Sequence, residues 1–336
     1  MTGDAVPVAQ QVGFNAQGAT GFSVSNSGTL AYRSREGPAR SKLIWLDRSG
    51  LNVGETPGEF DNRQVALASD GARLAIDRFE NNSSSNRDLW LVDTRRGTTT
   101  RFTSEPSDDC CPIWSPDDRS IVFPSNRDGA MNLYQRSSEG TEPAQLLLKT
   151  PLPKYPKDWS QDGRFVVYES GSDGNLRDLW LLPMFGERKP VPLISTRAEE
   201  SDGRFSPDAN WLAYTSNQSG AYEVYLQRIT SAEGQRFQVS TNGGHYPRWR
   251  ADGRELFYVA PDRKLMSVNV SLGERPQLGV PQPLFDMPIS SPAAQPFTTR
   301  YAVAKDGQRF IVHNALSEQD PTALTVVVNW TEALTK

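Results

Sequence analysis

The chain has 336 residues, a formal net charge of −4 and a pI near 5.4, so it lacks the basic character of nucleic-acid-binding proteins. No run of 18 apolar residues occurs, which excludes a membrane-spanning helix within this segment. Hydrophobic residues make up 37% of the chain, and the 26 glycines and 24 prolines suit many short strands joined by turns. Residues 1–20 show neither the charged nor the apolar region of a signal peptide, so we expect none.

One pattern recurs along the chain at intervals of about 45 residues: an apolar strand end, a tight turn rich in Ser, Pro, Asp and Gly, and a second apolar strand. Its clearest copies are residues 159–168 and 249–258. Such a period with four strands per unit is characteristic of a β-propeller. We therefore predict an all-β fold, one seven-bladed β-propeller domain of four-stranded antiparallel blades over residues 1–336. The predicted blades are approximately 19–59, 60–105, 106–150, 151–196, 197–240, 241–288 and 295–331.

The turn between the first two strands of each unit has its own physical logic. Pro presets φ for a type I turn, and the residue after the Asp is then expected in the left-handed conformation. Glycine, which adopts that conformation without steric cost, stands there in four copies: Gly71, Gly163, Gly253 and Gly307. Ala209 occupies the same position, so we predict that it has a positive φ at a cost on the order of 1 kcal/mol.

The two ends of the chain are expected to complete one blade. The seventh unit offers three strands, at 301–304, 310–312 and 324–330, and the segment 6–12 can add the fourth through backbone hydrogen bonds. Because pairing the first and last strands removes free sheet edges, we predict that 6–12 closes the ring.

The repeats resemble those of TolB-like propellers, on the evidence of Ile-Trp-Ser-Pro-Asp at 113–117 and of the related residues 205–214. The whole chain is similar to the propeller that follows the kinase domain and membrane helix in bacterial receptor-type Ser/Thr kinases. The segments that carry this likeness are 86–90, 125–129, 132–134, 246–249, 255–258 and 326–330.

That resemblance implies a non-catalytic sensing or scaffold module, fused in a longer chain to a kinase and a membrane helix and placed outside the cytoplasm. A separate protein without a signal peptide would instead be cytoplasmic. Neither a ligand nor a catalytic residue comes with the resemblance.

Enzymatic motifs are incomplete in this sequence. Asn86-Arg-Asp88 and 176–178 imitate a kinase catalytic loop, but Asp93 and Pro183 stand where that loop needs Asn. Residues 21–25 lack the last glycine of a serine-hydrolase elbow. We therefore expect no catalysis and no cofactor.

A metal-assisted lyase or lactonase at the channel mouth is the open alternative, since such sites place His and acidic residues around a cation. The two histidines are His245 and His313, and we interpret both as structural residues and predict no metal site. Cys110 and Cys111 are the two cysteines, and adjacent thiols can bind a soft metal or form a strained disulfide. We expect both to be reduced and one to be buried.

The loops that lead into the first strand of each unit carry no structural consensus and bring polar side chains towards the predicted axis. Arg and Tyr are enriched where binding energy concentrates. We therefore predict that this face binds a protein, a peptide or a small polar ligand, although a solvated rim without a ligand fits the same residues. The candidate binding residues are Arg63, Asp109, Lys154, Tyr155, Glu200, Arg204, His245, Tyr246, Arg248 and Arg300.

Overall fold

The computed structural model describes residues 22–25, 29–32, 41–60, 62–79, 86–171, 177–229, 235–288, 301–315 and 325–328. Within these ranges the chain forms strands and no helix, as the predicted all-β class requires. The chain divides into two compact units, one of Ser41–Ala315 and one of Met1–Arg40 with Leu316–Lys336.

The described residues of the unit that combines both chain ends form one antiparallel sheet. Its strands are β1 (Phe22–Val24), β2 (Thr29–Tyr32) and β28 (Thr325–Val328), and β2 lies in the middle. The strand predicted at 324–330 thus pairs with β2. The segment 6–12, which was expected to pair with it, lies outside the described residues.

The described residues of the larger unit form six antiparallel sheets, five of four strands and one of five. One sheet combines β26 (Tyr301–Val303) and β27 (Arg309–Ala315) with β3 (Ser41–Asp47) and β4 (Asn52–Phe60), in the order β26-β27-β3-β4. The other five follow the chain.

They are β5 (Asn62–Leu67), β6 (Arg73–Phe79), β7 (Arg87–Asp93) and β8 (Thr99–Arg101); β9 (Ile113–Trp114), β10 (Ser120–Ser125), β11 (Asn132–Ser137) and β12 (Gln145–Leu148); β13 (Lys154–Trp159), β14 (Phe165–Gly171), β15 (Arg177–Pro183) and β16 (Val191–Ile194); β17 (Glu200–Phe205), β18 (Trp211–Ser216), β19 (Glu223–Arg228) and β20 (Arg236–Gln238); and β21 (His245–Trp249), β22 (Glu255–Val259), β23 (Lys264–Ser271), β24 (Gln277–Leu278) and β25 (Gln282–Asp286).

The first strands of these six sheets contact one another in a closed cycle. Going round, β5 contacts β9, and β13, β17, β21 and β26 follow until β26 returns to β5. The sheets are therefore the blades of a propeller, and the unit Ser41–Ala315 closes as a ring of six.

This pairing corrects the predicted blade boundaries. The strands of 19–59 are divided between two sheets, because β1 and β2 pair with β28 while β3 and β4 pair with β27. The predicted count of seven blades and the predicted closure are not confirmed. The repeat period is the same whichever strand is taken as the first of a blade. The period alone therefore could not show which strands share a sheet.

The predicted turn chemistry is confirmed. Ala209 has a φ of 55°, close to the 74° of Gly163 and the 72° of Gly253. The backbone N–H of Ala209 donates to the Ser206 carbonyl at 2.8 Å, which closes the turn. These turns all lie at the same end of the first strands and surround one mouth of the channel.

Apolar side chains fill the space between neighbouring blades. One cluster joins Val167 and Leu179 of one blade to Phe205 and Tyr214 of the next. At the closing blade, the Phe310 ring meets Phe257 edge-on at 5.1 Å. The core is thus built from contacts between sheets, which hold the first strands around the channel.

Candidate functional site

Bulges interrupt the pairing of the first strands. Register shifts occur between Asn62 and Val65, between Pro156 and Asp158, between Ser201 and Arg204, and between His245 and Arg248. A bulge leaves an extra residue unpaired and changes the direction of nearby side chains, and bulges are frequent beside functional sites. Here they lie along the channel.

A cavity of about 770 Å³ lies within the channel and opens at the end formed by the turns between first and second strands. We call this end the turn mouth. Every blade contributes a residue of that turn to its wall: Ser69, Ser115, Gln161, Pro207, Ala251 and Lys305. The predicted binding face, built by the loops before the first strands, is the opposite end of the channel.

Deeper in the cavity, Lys157, Asp158, Arg204 and Arg248 lie on three neighbouring blades. The Arg204 guanidinium donates to the Lys157 carbonyl and lies 3.9 Å from Asp158 Oδ1. Asp158 Oδ2 accepts the backbone N–H of Phe205 at 2.9 Å. Arg204 Nε is buried and has no hydrogen-bond partner among the described residues. Buried donors are almost always paired, with a bound water where no protein acceptor is near.

Arg248 adds a second, more deeply placed guanidinium. It is 9% exposed, its Nη1 donates to the Pro247 carbonyl at 2.6 Å, and it lies 5.5 Å from the centre of the Tyr301 ring. Burial, together with the neighbouring Arg204 charge, lowers the pKa of Arg248 to about 10. An anion bound here would offset both effects.

Asp158 is the acidic residue among these four side chains, and burial disfavours its charged form. Burial raises the pKa of Asp158 above its ordinary value, against the opposing effect of Arg204. Asp158 is the partner of Arg204 and of the Phe205 amide, and together with Asp202 it also acts on the more distant Arg248 charge.

Lys157 is committed to a buried ion network between two blades. Its Nζ lies 3.0 Å from Glu169 Oε1 and 3.9 Å from Asp202 Oδ1. Arg177 pairs with the second Glu169 oxygen at 3.1 Å, and the Asp202 N–H donates to Glu169 Oε1 at 2.8 Å. Burial alone would raise the pKa of Glu169, but Lys157 and Arg177 hold it below its ordinary value. This network fixes the bulge that positions Arg204.

The structure brings Arg204 and Arg248 together at the cavity, as two of the ten predicted binding residues. Others are engaged in contacts within a blade or between neighbouring blades instead. Lys154 Nζ donates to Asn132 Oδ1 and to the Thr150 carbonyl, each at 3.0 Å, and also to the Leu152 carbonyl. The carboxylate of Asp109 pairs with Arg127 at 3.1 Å.

The remaining candidates also lie against neighbouring residues of the fold. Glu200 accepts the Thr196 hydroxyl at 2.6 Å, the Tyr155 ring lies 5.3 Å from the Arg177 guanidinium, and the Tyr246 carbonyl accepts the Tyr301 hydroxyl at 2.7 Å. The side chain of Arg63 and the whole of Arg300 lie outside the described residues.

Asp158 was missed although the sequence contained a signal for it. Asp158, Arg204 and Arg248 each directly precede the aromatic residue that ends a first strand. Since side chains alternate along a strand, a residue beside a packed aromatic side chain points the other way, into the channel.

His245 is buried, and its ring centre lies 5.1 Å from that of Tyr222. Burial lowers the pKa of His245 to about 4. His313 is also buried, in β27 opposite Leu43. Within the described ranges, no group of three or more His, Cys, Asp or Glu residues is placed to hold a metal ion. No helix in that part of the chain is long and apolar enough to span a membrane.

Comparison with known proteins agrees with this architecture. Residues 25–178 match the family model of the TolB beta propeller domain. A solved structure of putative TolB from Agrobacterium tumefaciens superposes with a TM-score of 0.62 at 19% identity, covering 83% of this chain and 99% of that one. The fold is TolB-like.

Curated relatives match over shorter stretches. The chain is 30% identical over 166 residues to the Tol-Pal system protein TolB of Helicobacter pylori strain 26695, covering 48% of this chain and 38% of that protein. It is 26% identical over 231 residues to an uncharacterized peptidase, YuxL, of Bacillus subtilis, covering 55% of this chain and 34% of that protein. The chain thus spans little more than a third of these two relatives.

Proposed function

We propose that the chain is a non-catalytic binding propeller that receives an acidic segment of a partner protein or peptide at the turn mouth. The observation that carries this proposal is the pair of guanidinium groups at the cavity, the partly exposed Arg204 and the buried Arg248, with an Arg204 Nε that has no hydrogen-bond partner among the described residues. Charge-assisted hydrogen bonds to a carboxylate are among the stronger polar contacts in proteins.

The walls of the cavity suit a chain segment better than a small, fully enclosed ligand. Three tryptophans, Trp114, Trp159 and Trp249, lie along the wall, and their indole N–H groups donate to backbone carbonyls. Their rings pack mainly in the clusters between blades, where Trp114 and Trp159 are each only 9% exposed. The cavity is open at the turn mouth, and its deeper part carries the charged side chains, so an extended segment can enter it from that end.

The resemblance to the propellers of receptor kinases supports a finer role. In that role the ring is the sensing or scaffold module of a bacterial signalling receptor, and the acidic segment is its signal. The relatives named TolB support protein binding by this fold, and the relative named as a peptidase shows that similar segments also occur in proteins named as enzymes.

Selection from a random peptide library displayed on phage tests the site. Peptides selected on the wild-type chain should be rich in Asp and Glu, and Arg204→Gln or Arg248→Gln should weaken their binding at least about tenfold, the loss expected for one charged hydrogen bond. Arg275→Gln, at an exposed arginine away from the cavity, is the matched control and should bind as the wild type does.

Selected peptides without acidic residues would overturn the proposal, and so would acidic peptides that bind both cavity variants unchanged. Melting temperatures of all three variants show whether a loss of binding reflects a loss of folding.

A further inference from the structure

The two cysteines lie side by side at the bulge that precedes β9. Their Sγ atoms are 2.8 Å apart, so both thiols face the same space. Cys110 is fully buried and Cys111 is 7% exposed, whereas the sequence suggested that one of them would be buried. Cys111 has a φ of 52°, a left-handed conformation that residues with a side chain seldom adopt.

The surroundings hold this unusual backbone in place. Asp109 pairs with Ser125 on one side of the cysteines, and Ile113 pairs with Val122 on the other. Gln64 of the neighbouring blade donates its side-chain amide to Cys111 Sγ at 3.2 Å. Strained conformations persist where neighbouring contacts fix them, and they cluster at functional positions.

We propose that Cys110 and Cys111 form a reversible redox site, which small-molecule disulfides oxidise to a vicinal disulfide. A thiolate of Cys111 attacks one sulfur of the small disulfide, forms a mixed disulfide and releases one small thiolate. The Cys110 thiolate then attacks the Cys111 sulfur and displaces the second small thiolate. The two cysteines lose two protons and two electrons, and the small disulfide becomes two thiols.

The order of the two steps follows from access. Cys111 is the cysteine with some exposed surface, so a small disulfide reaches it first. Burial raises the pKa of Cys110, while the nearby Arg87 charge opposes that rise. Cys110 is therefore the less readily ionised thiol, and we assign it to the second step because its target sulfur is already beside it.

The product is expected to be easily reduced. Adjacent Cα atoms are about 3.8 Å apart, whereas disulfide-linked residues usually have Cα atoms about 4.4–6.8 Å apart. The ring between neighbouring residues is therefore strained, and strained disulfides are the labile and regulatory ones. Since Gln64 also lines the cavity, the redox state of Cys111 changes a contact of the cavity wall.

The test uses the native full chain with glutathione disulfide as the only oxidant. Since the chain has two cysteines, a disulfide within one molecule can join only Cys110 to Cys111. We expect the monomer to lose both titratable thiols and about 2 Da, the mass of two hydrogens, on the tryptic peptide 102–119, and to recover both with dithiothreitol.

The single variants Cys110→Ser and Cys111→Ser are the controls. Cys110→Ser should stop at the glutathione adduct of Cys111, and Cys111→Ser should react at least tenfold more slowly. Three results would overturn the proposal: stable adducts on the wild type, disulfide-linked dimers, or thiols that react in urea but not in the native chain.

Discussion

At the scale of single residues, the backbone conformations explain several residue choices. Gly97 and Gly163 both have positive φ, at 68° and 74°. They differ in their surroundings, because a Cβ on Gly163 would meet no atom within 4 Å whereas one on Gly97 would overlap the Pro57 carbonyl. The two glycines therefore separate the cost of backbone strain from the cost of a clash.

We expect Gly163→Ala to lower the free energy of unfolding by about 1–2 kcal/mol, the cost of a left-handed Cβ. Gly97→Ala should cost more, because the Pro57 backbone must also move. Urea unfolding of both variants measures the difference. Equal losses would show that β4 does not approach Gly97 as described.

Buried ionisable residues give the fold a measurable pH dependence. Burial raises the pKa of Glu200 from an ordinary 4.5 to about 7. Between these values the folded chain binds the proton more tightly than the unfolded chain, so the contribution of Glu200 to stability falls as pH rises from 4.5 to 7. Glu200→Gln removes this dependence.

Relative to the wild type, Glu200→Gln should therefore gain about 3 kcal/mol of unfolding free energy between pH 4 and pH 8, since each pKa unit corresponds to about 1.4 kcal/mol. Glu255 provides the control, because Arg48 and Ser267 hold its pKa below the ordinary value despite burial. Glu255→Gln should show no such gain. Urea unfolding at pH 4 and pH 8 measures these free energies. If the difference between Glu200→Gln and the wild type were the same at both pH values, the raised pKa of Glu200 would be wrong.

At the scale of strands and blades, the positions of the strands could be predicted from the sequence better than the pairing between strands. Strand ends, turns and the left-handed Ala209 follow from local chemistry that is visible in the residues. The pairing of β27 with β3 does not, because these strands come from opposite ends of the larger unit and every repeat offers similar apolar edges. In the same way, the alternation beside Trp159 could have indicated Asp158, but the bulge that positions it has no sequence signature.

A double-mutant cycle tests the β27–β3 pairing. Leu43 of β3 and Ile311 of β27 are fully buried in one cluster, so we expect each change to Ala to cost about 2–5 kcal/mol. Because the two side chains share that cluster, the double variant should differ from additivity by at least about 0.5 kcal/mol.

Leu212 lies in a different cluster and provides the comparison. Ile311→Ala combined with Leu212→Ala should be additive in unfolding free energy. Additivity of Leu43→Ala with Ile311→Ala as well would contradict closure through β27 and β3.

At the scale of the whole ring, the two ends of the channel differ in their contacts. At the end where the first strands begin, Lys154 bonds Asn132 of the preceding blade, and Asp109 pairs with Arg127 of its own blade. The turn mouth instead surrounds an open cavity with Arg204 and Arg248 inside it. We therefore propose that a ligand binds at the turn mouth.

Hydrogen exchange with and without an acidic peptide from the display selection measures this placement directly. Bound peptide should slow amide exchange at the turn mouth, in residues 66–71, 114–118, 157–161, 204–207, 248–252 and 302–306. Protection that appears instead in the loops before the first strands, at 104–109, 149–154, 195–200 and 240–245, would contradict it.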